Sequence, residues 1–154
     1  FRKLDEIKPY IDIWWSSGAQ SAQLMKDGEV EMSTIWNGRM DAAIADGAMG
    51  DYTFNGGIAS LDCLAIPMGS QNPDVAMKVI AALVSADLQA NIPFHINYGP
   101  TNSGAFALGK ITDEMSARSP SAPENLKNQV IVRAEWWAEN GEAVQERWDA
   151  WHIE

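Results

Sequence analysis

The stretch from residue 58 to residue 67 is nearly all apolar, with Ser60 and Asp62 as its polar interruptions. A run of this kind predicts a strand that is buried on both faces, which is typical of a parallel sheet with helices on each side. Such a strand needs neighbouring strands and covering helices. It therefore constrains the fold of this chain strongly.

Extended and helical patterns alternate before this run. β-branched and aromatic residues predict two short strands, at residues 11–15 and 30–36. Each strand leads into a predicted helix, the first at residues 20–26 after Ser16-Ser17-Gly18 and the second at residues 39–46 after Asn37-Gly38. This β-α-β-α order predicts an α/β fold.

Helical patterns dominate the remainder of the chain. The predicted helices cover residues 73–84, 87–92, 112–115, 123–128 and 135–151. The chain opens directly into a strand, however, and has few strands for a self-sufficient sheet, which favours part of a larger protein. Residue 1 is Phe rather than Met, which favours the removal of an upstream portion.

Composition excludes several kinds of partner. The net charge of -10 argues against a nucleic-acid partner, because nucleic-acid backbones are bound by clustered Lys and Arg. No apolar run approaches the roughly 20 residues that span a bilayer, so no membrane insertion is expected. The single cysteine, Cys63, excludes an internal disulfide, and its apolar surroundings predict core packing. His95 and His152 lack metal-ligand spacing, so neither a metal nor another cofactor is expected.

Catalysis is not expected from the motifs either. The sequence has no G-x-S-x-G, Walker or G-x-G-x-x-G pattern, and neither histidine accompanies an obvious nucleophile. A catalytic α/β domain is the alternative from a different class, and a purely structural oligomeric domain is a third.

One short region instead suggests ligand binding. Trp36-Asn37-Gly38-Arg39 offers an aromatic face and a guanidinium group, and Asp62 follows within the apolar run. A small amino acid needs these partners: a carboxylate for its amine, a guanidinium for its carboxylate and an indole for its aliphatic body. The structural alternatives are that Trp36 is core and that Asp62 pairs with a structural Arg or Lys, including Arg39.

An ordered set of motifs carries a family resemblance. It consists of Gly28-Glu29-Val30, Ile35-Trp36-Asn37-Gly38, Gly56-Gly57-Ile58, residues 61–67 (LDCLAIP), Asn72-Pro73 and residues 97–102 (NYGPTN). With this set, nearly the whole chain resembles the polyamine-binding family of periplasmic solute receptors, which are type II periplasmic binding proteins of ABC importers.

The resemblance implies a two-lobed α/β fold of which this chain is the C-terminal half. Residues 1–60 would be part of the second lobe, residues 61–106 would return to the first lobe, and residues 107–154 would form a helical segment that packs back on the second. The implied partners are a small amine or amino-acid ligand, an ABC permease and the missing N-terminal half of the same receptor. The implied location is the periplasm.

The same resemblance implies the site residues. Trp36 matches an aromatic residue that stacks on the ligand's methylene chain, and Asp62 matches a carboxylate that pairs with a ligand amine. Tyr98 lies in a turn that contacts ligand, and Ser16 or Ser17 matches a contacting serine.

Three positions depart from the family pattern. Ser60 replaces an aromatic residue, Trp137 replaces a glutamine, and Arg39 replaces a small residue. A guanidinium at the pocket would repel a diamine but bind a carboxylate through two hydrogen bonds. The departures therefore favour an ω-amino acid, with γ-aminobutyrate as the leading candidate and putrescine or spermidine as the alternative.

Overall fold

Helices make up most of the computed structural model, which describes residues 1–153. Residue 154, the last of the expected C-terminal segment, lies outside the described residues. The α-helices are α1 (Arg2–Ile7), α2 (Gly18–Asp27), α3 (Asn37–Ala45), α4 (Pro73–Leu83), α5 (Ala86–Gln89), α6 (Asp113–Ala117), α7 (Pro123–Leu126) and α8 (Ala134–Ile153). Short 3-10 helices cover Lys8–Tyr10, Ile92–Phe94 and Ser103–Leu108.

The two described strands are very short. β1 (Ile58–Ala59) pairs in parallel with β2 (Val130–Ile131), and Ile58 lies opposite Val130. The strands predicted at residues 11–15 and 30–36 are wrong, as is most of the strand predicted at residues 58–67, because the backbones of these segments pair with no other strand within residues 1–153. The prediction that the chain opens with a strand is also wrong, because α1 comes first.

The helix predictions are largely confirmed, because helix signals are local. The Ser17 hydroxyl caps α2 by accepting the Gln20 N–H at 3.2 Å. Gly28 ends α2 in the left-handed conformation, with φ of 67°. α2 packs against α3, and Leu24 and Met40 are buried there.

An aromatic cluster joins the two ends of the described chain and comprises Phe1, Trp14, Trp148, Trp151 and His152. Trp151 is buried, and its indole N–H donates to the Asp5 carboxylate at 2.6 Å. Lys8 donates to the Trp151 carbonyl at 2.6 Å and lies 4.3 Å from the centroid of its ring. α1 is therefore held against the end of α8.

A polar network, here called the Asp41 network, joins four parts of the chain. The Asp41 carboxylate on α3 accepts hydrogen bonds from Asn97 Nδ2 at 2.6 Å, Tyr52 Oη at 2.9 Å and Arg118 Nε at 2.9 Å. A second guanidinium nitrogen of Arg118 also contacts it. Asn37 adds a bond from its Nδ2 to the Asn97 carbonyl at 2.6 Å.

The Asp41 network and its neighbours shift the pKa values of Tyr52 and Asp51. Burial, together with the hydrogen bond to the negative Asp41 carboxylate, raises the pKa of Tyr52 to about 12. The pKa of Asp51 is lowered, chiefly because the Tyr52 backbone N–H donates to its carboxylate and also because Arg118 does.

The fourth helix presents much of its apolar surface to solvent. α4 contains no buried residue, and Val75, Met77, Val79 and Leu83 are among the large apolar side chains that the described chain leaves exposed. No single described helix has the length and hydrophobicity to cross a membrane. α4 and the segment Ala86–Phe94 meet those criteria only together, with a 60° bend between them.

We predict that Tyr52 makes folding stability fall at alkaline pH. Its pKa is about 12 when folded and about 10 when unfolded. The stabilisation is therefore complete below pH 10 and is lost as the pH rises towards 12. Tyr52→Phe should weaken this loss and should lower the free energy of unfolding at pH 7 by about 1.5 kcal/mol, because a hydrogen bond to a charged group disappears. Urea unfolding of the protein between pH 7 and pH 11 measures both effects.

Tyr10→Phe is the matched control, since Tyr10 is exposed and lies outside the Asp41 network. An identical alkaline loss in wild type and Tyr52→Phe would contradict the prediction.

Candidate functional site

Trp36 lies where the N-termini of α2 and α3 approach each other. It occupies the N-cap position of α3, and a Cβ added at Gly18, the first residue of α2, would lie 2.5 Å from Trp36 Cε3. Only a glycine at position 18 therefore leaves room for the indole. Trp15 packs edge-on against Trp36 at 6.0 Å between centroids, yet 52% of Trp36 is exposed. Trp36 is thus not a core residue of the described chain.

The Arg39 side chain extends towards the same glycine. Its Nε would lie 3.3 Å from a Cβ at Gly18, so the guanidinium end lies at the α2 terminus close to the Trp36 ring. Arg39 is exposed and forms no ion pair within residues 1–153. Its charge is therefore available at this junction.

Tyr98 reaches the junction from a distant part of the sequence. A Cβ added at Gly38 would lie 2.7 Å from Tyr98 Cε1, so the tyrosine ring lies directly on the α3 backbone. The bond from Asn37 to the Asn97 carbonyl holds the adjoining backbone in place. Tyr98 is 37% exposed.

These observations define a helix-terminus site that consists of Ser17, Trp36, Arg39 and Tyr98. It combines two partly exposed aromatic rings with a guanidinium and the N-terminal ends of two helices. Helix N-termini carry partial positive charge and unpaired N–H groups, so the site can bind an anionic group beside an apolar one. The Ser17 hydroxyl is already used in capping α2, and the Ser16 N–H donates to Gln20 Oε1 at 2.8 Å.

The other three predicted residues lie apart from these contacts. Ser60 follows β1 and is exposed, while Trp137 lies in the first turn of α8 with 47% exposure and packs edge-on against Trp136. Asp62 is exposed and makes neither a hydrogen bond nor an ion pair with any described residue. The expectation of a buried Asp62 is wrong for the described chain, since residues 61–65 are all exposed.

One structural alternative and one further expectation are also wrong for the described residues. Asp62 does not pair with Arg39, so Arg39 is not its structural partner among residues 1–153. Cys63 is exposed rather than packed in a core. Both outcomes have one cause, which is that no other segment within residues 1–153 covers residues 61–65.

Sequence reasoning missed the features that bring the site together. Gly18 and Gly38 admit the rings of Trp36 and Tyr98, and both stood in quoted motifs without a role. Asp41 lies inside a predicted helix, and no sequence pattern indicates its partners at positions 97 and 118. In the described part of the chain, no group of three or more His, Cys, Asp or Glu side chains could hold a metal.

Residues 1–123 match the family described as bacterial extracellular solute-binding protein. Among curated proteins, the gamma-aminobutyric acid-binding protein of Pseudomonas aeruginosa is 35% identical over 151 residues, which cover 98% of this chain and 42% of that protein. The spermidine/putrescine-binding periplasmic protein of Salmonella typhimurium is 26% identical, over 93% of this chain and 40% of that protein. The chain therefore spans less than half the length of these relatives.

Solved structures give the same picture. An ABC transporter substrate-binding protein from Bradyrhizobium japonicum matches with a TM-score of 0.85 and 41% identity, covering 97% of this chain and 47% of that one. The PBP MotA from A. tumefaciens, crystallised with glucopine, matches with a TM-score of 0.80 and 41% identity. This match covers 97% of this chain and 46% of that one.

These matches confirm the predicted fold class, part of an α/β periplasmic-binding-protein fold, and the resemblance to polyamine-binding receptors. The matched proteins bind solutes for ABC transporters and are not enzymes, so the prediction of a non-enzyme is confirmed. Their family supports an extracytoplasmic location. The chain belongs to the family of bacterial extracellular solute-binding proteins.

Proposed function

We propose that this chain belongs to a periplasmic receptor that captures a small solute with both an amine and a carboxylate and delivers it to an ABC permease. The leading candidate is an ω-amino acid such as γ-aminobutyrate. The position of Arg39 carries the proposal, because its guanidinium, which forms no ion pair within residues 1–153, lies beside the exposed Trp36 ring at a junction of two helix N-termini.

The helix-terminus site favours the carboxylate end of such a ligand. A guanidinium binds a carboxylate through two hydrogen bonds, and nearby helix N-termini add to the attraction. Trp36 would stack on the methylene chain, and Tyr98 would close the other side of the ligand. The relative that binds gamma-aminobutyric acid and the neighbour crystallised with glucopine support this ligand class.

Asp62 is proposed to receive the ligand amine. Its carboxylate is exposed and unpaired within the described residues. If the remainder of a receptor covers it, burying this charge costs free energy unless a cation pairs with it. Ser60, two residues earlier, would face the same cleft, and Trp137 would approach it from α8. We propose that residues 1–60 belong to the second lobe, residues 61–106 to the first, and residues 107–154 to a returning segment.

Capture would proceed by lobe closure. Contacts from both lobes to one ligand favour the closed state, and a permease that recognises this state receives only loaded receptors. The alternative ligand is putrescine or spermidine, which the more distant relatives favour by name. Arg39 argues against it, because a diamine would bring a second cation to the guanidinium.

The remainder of the receptor is proposed to cover α4. An apolar groove of about 460 Å³ lies between α4 and the segment before it, with Leu64, Ile66, Val75, Val79 and Ile80 among its lining residues. The chain spans 42% of the gamma-aminobutyric acid-binding relative, and a receptor of that relative's length would have enough further polypeptide to supply the strands and helices that bury this groove.

We predict that Arg39→Gln lowers the affinity for γ-aminobutyrate about tenfold or more, because a charge-assisted hydrogen-bond pair is lost. Calorimetric titration of the complete receptor with γ-aminobutyrate, glucopine and putrescine measures the effect. Arg133→Gln, which removes an exposed arginine elsewhere, is the control and should bind like wild type. Tight putrescine binding without any heat from γ-aminobutyrate would contradict the amino-acid assignment.

We predict that Asp62→Asn weakens the binding of amine-bearing ligands by at least ~1.5 kcal/mol, which is the contribution of a hydrogen bond to a charged group. The same titrations measure it, with Asp74→Asn on the surface of α4 as the control. Unchanged affinity in Asp62→Asn would assign Asp62 to structure instead.

We predict that Val79→Asn destabilises the complete receptor by about 2 kcal/mol, because a polar group would enter a covered apolar groove. In the described chain alone Val79 is 52% exposed, and a surface substitution would cost less than about 0.5 kcal/mol. Urea unfolding distinguishes the two cases, and Lys78→Asn on the adjacent exposed position is the control. Equal small effects for both variants would show that the groove stays open.

A further inference from the structure

We propose that Asp41 is a positioning residue for ligand recognition, whose carboxylate fixes the loop that carries Tyr98 against the N-terminal turn of α3. Asp41 would not touch the ligand and would act through Tyr98. The inference rests on the proposed function, since Tyr98 is taken to contact the ligand.

The loop is attached to α3 at two points. The Asn97 side chain donates to the Asp41 carboxylate at 2.6 Å, and the Asn97 carbonyl accepts from the Asn37 side chain at 2.6 Å. Asn37 and Asp41 are one helical turn apart and lie on the same face of α3. Two bonds to one residue fix both the position and the orientation of the backbone that leads directly into Tyr98.

The attachment decides where the Tyr98 ring lies. Gly38 follows Asn37, and the ring rests on its backbone, with a Cβ at that position only 2.7 Å away. Trp36 lies two residues before the same glycine in sequence, and Arg39 follows it directly. A loop that moved away from α3 would therefore carry Tyr98 away from this end of α3, where Trp36 and Arg39 are proposed to contact the ligand.

The Asp41 carboxylate is held rigidly because its hydrogen-bonding capacity is used. Its side chain is 18% exposed, and it receives bonds from Tyr52 and Arg118 as well as Asn97. A carboxylate with this little exposure needs such donors, so its orientation is fixed by three separate segments. Asn at this position would offer one oxygen and an amide nitrogen that cannot accept, which leaves at least one donor unpaired.

The packing of α3 does not depend on this carboxylate. Met40 and Ala43 are buried where α3 packs against α2, and neither belongs to the Asp41 network. Loss of the carboxylate should therefore leave Trp36 and Arg39 in place and release the Tyr98 loop. This separation makes a positioning role distinguishable from a general loss of structure.

A double-mutant cycle in the complete receptor tests the proposal, with γ-aminobutyrate, glucopine and putrescine as the titrated ligands. Asp41→Asn should lower the affinity about tenfold in the wild-type background. In the Tyr98→Leu background, Asp41→Asn should lower the affinity less than about threefold, because the effects of two residues that act through one another are not additive. Asp46→Asn at the other end of α3, where an exposed carboxylate pairs with Lys26, is the control and should bind like wild type.

Two affinity results with Asp41→Asn would overturn the proposal. One is an unchanged affinity in folded Asp41→Asn, and the other is an equal loss in both backgrounds. If Asp41→Asn does not fold, Asn97→Ala replaces it in the same cycle, because this variant keeps the pairing of Asp41 with Arg118. Wild-type affinity in Asn97→Ala would overturn the proposal as well.

A readout without ligand separates this proposal from the proposed function. 3-Fluorotyrosine placed at position 98 should change its fluorine resonance in Asp41→Asn and not in Asp46→Asn. If wild type binds none of the three ligands, the proposed function fails, and the resonance still decides whether Asp41 positions Tyr98. An unchanged resonance in Asp41→Asn would overturn the positioning role.

Discussion

The charge on Asp41 is the constraint on which the arrangement of the helix-terminus site depends. A mostly buried carboxylate is stable only with donors around it, and the donors come from positions 52, 97 and 118, far apart in sequence. Satisfying one carboxylate therefore brings three separate segments to the side of α3. The network continues through Asn37, whose side-chain amide donates to the Asn97 and Arg118 carbonyls and so also holds the segment before Tyr98 against the first turn of α3.

Helices could be predicted from the sequence because their determinants lie within a few residues of each other. Ser17, Ser85 and Thr112 each cap the helix that follows, and Pro73 occupies the first turn of α4. Strands could not be predicted in the same way, since a strand exists only when another strand donates and accepts its hydrogen bonds. Residues 58–67 have the composition of a buried strand, yet only the first two residues find a partner within residues 1–153.

The candidate site shows the same division between local and distant causes. Trp36 and Arg39 were predicted to act together because they lie in one motif, and the structure places both side chains beside Gly18. Tyr98 was named through the family resemblance alone, since nothing in the spacing of residues 38 and 98 reveals that they touch. The Asp41 network was missed altogether because its contacts join residues that are far apart in sequence: Asn97 lies 56 positions from Asp41, and Arg118 lies 77 positions from it.

Ligand selectivity in such a site depends on local rather than net charge. The overall charge of -10 would attract a diamine, but exposed charges beyond about 8 Å are largely screened at physiological ionic strength. An ammonium 4 Å from the Arg39 guanidinium would instead meet a repulsion of about 4 kcal/mol at an effective dielectric constant of 20. A carboxylate at the same distance gains a comparable attraction. Under the proposed function, one guanidinium at the helix junction would therefore outweigh the preference that the acidic composition of the chain suggests.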